Sequence, residues 1–134
     1  MEKKVFMIID DDVDDRFFFK EAIEDMLKSP LCLEAINGED ALNQLRKTDK
    51  IPDFIFLDVN MPRMGGRECL IEIKRDAYLK NCVVIMYSTS FSEETMKEFV
   101  ELGASSYLQK PSDINKLAQQ IFDTINKSTK TFRS

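Results

Sequence analysis

Five short apolar runs, Val5 to Ile9, Leu31 to Ile36, Phe54 to Leu57, Cys82 to Tyr87 and Ser106 to Gln109, alternate with stretches whose apolar residues recur at helical spacing. Strands separated by helices of roughly ten to fifteen residues connect by right-handed crossovers, which builds a parallel sheet covered on both faces. The pattern therefore predicts an α/β fold, a three-layer sandwich of helices, sheet and helices. In such a sheet a ligand site lies beyond the carboxyl ends of the strands, where the winding direction reverses.

The intervening stretches read as five helices. Phe18, Phe19, Ala22, Ile23, Met26 and Leu27 form the first stripe, stopped by Ser29-Pro30; Phe17 falls outside it and is expected to be exposed. Asn37-Gly38 reads as a turn before a short helix marked by Ala41, Leu42 and Leu45, and Cys69, Leu70 and Ile73 mark the third. Ser92 caps a fourth helix with Met96, Phe99, Val100 and Leu102, closed by Gly103. Ser112 or Asp113 caps the fifth, whose stripe is Ile114, Leu117, Ile121, Phe122 and Ile125 and whose end is expected near Lys127.

A chain of 134 residues fits one domain of the commonest size, about 100 to 150 residues. Residues 4–127 are read as that domain and 128–134 as a short tail with no output domain. The net charge of -5 and the pI near 4.8 disfavour direct nucleic-acid binding, which depends on Lys and Arg. Cys32, Cys69 and Cys82 suit neither a disulfide framework nor a zinc motif and read as reduced, packed thiols. The first apolar run is too short for a signal-peptide core or membrane span, so a cytoplasmic protein without membrane contact is expected, monomeric or weakly dimeric.

Chemistry concentrates at the strand ends. Asp10, Asp11, Asp12 and Asp14 follow the first apolar run, and Asp58 ends the third. Clustered carboxylates raise one another's pKa unless a cation or a lysine compensates. Asp10, Asp11 and Asp58 form an oxygen-rich set suited to Mg2+, which takes few protein ligands and is completed by water and phosphate oxygens. Lys110, at the end of the fifth strand, balances charge, and Ser88, at the end of the fourth, can donate to a phosphoryl oxygen. Asp58 is the candidate nucleophile. Asp12, Asp14 and Asp15 read as solvated acids favoured by the positive end of the first helix.

This ordered set resembles the receiver domains of two-component response regulators, of the stand-alone, chemotaxis-regulator-like type. The resemblance rests on Ile8-Ile9-Asp10-Asp11-Asp12, Leu57-Asp58-Val59-Asn60-Met61-Pro62 with Gly66, Met86-Tyr87-Ser88, and Tyr107-Leu108-Gln109-Lys110-Pro111. It implies a flavodoxin-like sheet of order 2-1-3-4-5 and Asp58 as phospho-acceptor. Magnesium would be held by Asp10 through water, by Asp11 and Asp58, and by the backbone carbonyl of Asn60. Ser88 and Tyr107 would be a switch pair acting on the face built from the fourth helix, fifth strand and fifth helix, and Lys110-Pro111 would be a cis peptide aiming the lysine inward. The implied donor is a histidine kinase or histidine phosphotransfer protein; the downstream protein partner is left open. Phe17 would lie on a kinase-docking surface; Ser90, small where many relatives carry a longer side chain, and Thr89 in place of the usual Ala suggest that water reaches the phosphoryl group and shortens its life.

Three other classes compete. An aspartyl-nucleophile phosphatase would need a second acid two residues after the nucleophile, where this chain has Asn60. A flavodoxin-like cofactor binder would want a small-residue phosphate cradle where Asp10 to Asp14 stand. A phosphate-independent scaffold would have no use for the intact acidic set.

Overall fold

The computed structural model describes the backbone of residues 4–133 and the side chains of residues 4–128. Strands β1 (Val5–Ile9), β2 (Leu31–Ala35), β3 (Phe54–Asp58), β4 (Val83–Ser88) and β5 (Ser106–Gln109) form one parallel sheet of order β2-β1-β3-β4-β5. Helices α1 (Val13–Met26), α2 (Gly38–Leu45), α3 (Gly66–Arg75), α4 (Glu93–Glu101) and α5 (Leu117–Arg133) connect or follow them, with a 3-10 turn at Ile114–Lys116 leading into α5.

Strand alternation creates two cores, because successive side chains point to opposite faces. Met7, Ile9, Ile55, Leu57, Val84 and Met86 face one side, where they meet Ala41, Leu42 and Leu45 of α2, Cys69, Leu70 and Ile73 of α3, and Phe99 of α4. Phe6, Ile8, Phe54, Phe56, Ile85 and Tyr87 face the other and meet Phe19, Ala22 and Ile23 of α1 and Leu117 and Ile121 of α5. The central strands are apolar up to their carboxyl ends, where β3 closes on Asp58 and β4 on Ser88, because both of their faces are covered.

Several expected boundaries shift for local reasons. β2 stops at Ala35, since the Ile36 amide turns to the Asp40 carboxylate (3.0 Å) and its side chain is exposed. β4 begins and ends one residue late: the Cys82 amide closes a turn on the Leu79 carbonyl, while Ser88 pairs with Gln109. Asn37-Gly38 is a helix start; Asn37 caps α2 by accepting from the Asp40 amide (2.8 Å). Asp12, Ser92 and Asp113 cap their helices in the same way. Gly103, with φ at 113°, turns the chain after α4.

α5 runs past the expected end near Lys127 to Arg133, so the helix continues into the residues read as a short tail. Neither Gly nor Pro follows Leu117 to stop it, and buried Ser128 bonds back to the Thr124 carbonyl. Met1, Glu2, Lys3 and Ser134 lie outside the described residues. No helix among those described is long and apolar enough to cross a membrane.

Candidate functional site

The first acids are fixed by backbone bonding at the end of β1. The Asp10 amide donates to the Ala35 carbonyl (3.0 Å), extending the β1–β2 pairing by one residue. The Asp10 side chain is fully buried, and its Oδ1 accepts from the Asp12 amide (3.0 Å), tightening the turn into α1. Asp12 accepts from the amides of Asp14 (2.8 Å) and Asp15 (3.2 Å), and it stays exposed. Arg16 donates to the Asp10 carbonyl (2.8 Å) and to Glu34 (3.3 Å), which also takes Lys20 (3.0 Å).

Asp58 arrives from the next strand. It pairs with Tyr87 at the last position of β3 and is 7% exposed. The loop after it doubles back so that the Gly66 amide donates to the Val59 carbonyl (2.9 Å). A Cβ on Gly66 would collide with the Asp58 carbonyl oxygen, so a side chain is excluded where α3 starts. Arg63 in this loop adopts a positive φ of 63°.

Carboxylate oxygens of Asp10, Asp11 and Asp58 all lie within 4.8 Å of one another. Burial, then repulsion from Asp10, pushes the Asp58 carboxyl up to about 7. Asp10 is also raised, chiefly by burial, although Lys110 and the Asp12 amide oppose this. Three converging hard oxygen donors short of positive charge are what a small divalent cation would relieve. The residues present therefore fit Mg2+: three carboxylates line a shallow hollow of about 220 Å³, together with Asn60, Ser88, Thr89 and Lys110.

Lys110 closes the site from β5. Its Nζ lies 2.8 Å from Asp10 Oδ2, 2.9 Å from Asp15 Oδ2 and 3.5 Å from Asp58 Oδ1. Burial alone would lower its pKa, but the bonds to Asp10 and Asp15 outweigh that and hold the ammonium well above its usual range. The ammonium also sits 5.0 Å from the centre of the Tyr87 ring. No peptide bond among the described residues is cis, so the expected cis Lys110-Pro111 is trans. The lysine reaches the acids without it, because its amide donates to the Ser88 carbonyl (2.7 Å) and anchors the start of the loop at the strand end.

Ser88 is buried beside this hollow, whereas Tyr107 projects from the next strand, 43% exposed, with its ring 5.6 Å from that of Phe91. Phe17 is exposed on α1 as its place outside the apolar stripe implied. Two participants escaped the sequence reading. Asp15 reads from the sequence as a solvated acid, yet it bonds Lys110 across 95 positions; Arg16 carries no motif and is visible only once α1 lies over the end of β1.

The chain belongs to the response regulator receiver domain family, whose model matches residues 6–122. It is 36% identical over 134 aligned positions to the protein-glutamate methylesterase/protein-glutamine glutaminase of Clostridium acetobutylicum, covering 95% of this chain and 36% of that one. It spans only 13% to 54% of the length of the first curated relatives it matches. Among solved structures, the phosphorylated cyanobacterial phytochrome response regulator RcpA superimposes with a TM-score of 0.82 at 29% identity, covering 98% of this chain and 94% of that one. The Mn2+-bound response regulator Rcp1 does so at 0.78 and 27%, covering 88% of each. The fold is thus the flavodoxin-like receiver fold, and the chain carries a domain of two-component signalling.

Proposed function

We propose that this protein acts as a response regulator receiver in which Asp58 accepts a phosphoryl group from a histidine kinase or histidine phosphotransfer protein. The observation that carries this is the convergence of Asp10, Asp11 and Asp58 on one oxygen cluster, with the Lys110 ammonium 3.5 Å from Asp58. One Asp58 carboxylate oxygen attacks phosphorus as the P–N bond to the donor imidazole breaks, and the electron pair leaves on the imidazole nitrogen. Asp11, Asp58 and the Asn60 carbonyl, with Asp10 through water, would hold magnesium, which would neutralise phosphoryl charge there. Lys110 offers a second positive charge, and the Ser88 hydroxyl bonds a phosphoryl oxygen.

Ser88 and Tyr107 then act as a switch pair. Ser88 moves toward the phosphoryl group, and the exposed Tyr107 leaves its contact with Phe91 to turn inward, changing the α4–β5–α5 face for a protein partner or onward transfer. Residues 4–127 work as one receiver unit. Exposed Phe17 contributes to donor docking, and an unchanged transfer rate in Phe17→Ala would remove it from that role. Exposed Thr89 and Ser90 leave water a path to the phosphoryl group, so the modified form is short-lived; persistence for many hours contradicts this.

Intact-mass spectrometry after incubation with acetyl phosphate and magnesium tests the central reading. The expected result is a gain of one phosphoryl group that is lost both in Asp58→Asn and with a chelator. A folded wild-type protein that gains nothing from acetyl phosphate or from a phosphorylated histidine donor overturns it.

A further inference from the structure

We infer that Asp15 is a positioning residue for phosphoryl transfer, fixing the Lys110 ammonium so that it faces the Asp58 carboxylate. The inference rests on the reading of Asp58 as acceptor. A lysine ammonium has three N–H donors, no acceptor, and a flexible four-carbon stem, so its direction must be imposed from outside. Here Asp10 and Asp15 take hydrogen bonds at 2.8 and 2.9 Å, and the third charged neighbour, Asp58, stands at 3.5 Å, too far for a good bond. With two donors engaged, the third is left for an oxygen arriving on Asp58. The Tyr87 ring, 5.0 Å from Nζ, bounds another side of the ammonium.

Asp15 differs from the other two carboxylates in its origin and its environment. It comes from the first turn of α1 and lies outside the cluster formed by Asp10, Asp11 and Asp58. Its side chain is 36% exposed, against 0% for Asp10 and 9% for Asp58. When a cation draws on the charge of Asp10 and Asp58, Asp15 is the acid still free to hold the lysine. A donor already aimed at the place where charge develops needs no rearrangement during the reaction.

The test uses the whole protein, acetyl phosphate and a magnesium series, with initial rates read by quenched intact-mass spectrometry. In the reaction an Asp58 oxygen forms the new O–P bond, the P–O bond to acetate breaks, acetate leaves with the electron pair, and Lys110 keeps all its protons. Asp15→Ala should lower the rate at saturating magnesium by about fivefold, the order expected for one partly exposed charge pair. The magnesium concentration giving half the maximal rate should stay unchanged, because Asp15 is not a ligand. Asp15→Asn keeps an acceptor oxygen and should recover part of the loss.

Whatever rate remains in Lys110→Met should be indifferent to adding Asp15→Ala, as a double-mutant cycle requires of two residues acting through one contact. An unchanged or faster saturated rate in Asp15→Ala overturns the inference. So does a loss that persists without Lys110, or one explained by a shifted magnesium requirement. If wild type itself takes no phosphoryl group, the acceptor reading fails and this inference with it; a reactive wild type with an equally reactive Asp15→Ala sinks the inference alone.

Discussion

The end of β1 and the region from the β4–α4 loop through α4 to β5 border the same hollow but are built differently. Around Asp10, the Asp10 and Asp12 amides, the Asp10 carbonyl and both Asp10 carboxylate oxygens have partners at 2.8 to 3.0 Å or bond the helix cap. On the other side, α4 buries only Phe99, β5 is four residues long with Leu108 as its one buried side chain, and Thr89 and Ser90 are exposed. Val100, Tyr107 and Phe122 present apolar surface there. The first region has one arrangement that satisfies its polar groups, while the second has little buried contact to lose by rearranging. Chemistry needs the first property, and a readable change of shape needs the second.

The sharpest attempt to break this comparison is on the rigid side. Gly66→Ala sets a methyl group against the Asp58 carbonyl, and it should cost about 1–3 kcal/mol of unfolding free energy in urea titration. A neutral result would mean that the β3–α3 turn yields as readily as the opposite loop.

A comparable effect comes from charge. Because the folded Asp58 carboxyl lies at about 7, above its ordinary value of 3.8, the folded state holds its proton more tightly than the unfolded chain does. Stability of the metal-free protein from this group is therefore greatest at low pH and falls as pH rises from near 4 through 7. At about pH 8, Asp58→Asn or saturating magnesium should raise Tm by roughly 5 °C, and near pH 4 that gain should vanish. Equal Tm values at both pH extremes would show that the acids are relieved by other means.

The smallest effect belongs to the loose side. Tyr107→Ala removes one exposed ring and its contact with Phe91, so stability should change by less than about 1 kcal/mol by thermal unfolding. A larger loss would place this face among the rigid parts of the molecule.

Sequence patterning predicted the sheet because central strands buried on both faces cannot hide their apolar runs. Asp10, Asp58, Ser88 and Lys110 stand out in the sequence because each directly follows an apolar run, and Asp11 because it adjoins Asp10. Asp15 was not, since spacing along α1 describes only that helix, and its partner comes from β5. Nor was the trans Lys110-Pro111 bond, which the resemblance led one to expect as cis. The end of α5 was placed early because the apolar stripe fades after Ile125, although no residue beyond it breaks a helix.

Lys110 and Asp10 meet across 100 positions of sequence. Closing a loop of that length costs conformational entropy that is repaid only by contacts made once both ends are in place. A chain that has assembled β1 to β4 but not yet added β5 holds its acids without their lysine. A lysine ammonium beside the acids is therefore a property of the fully assembled sheet, since it needs β1 and β5 in place together.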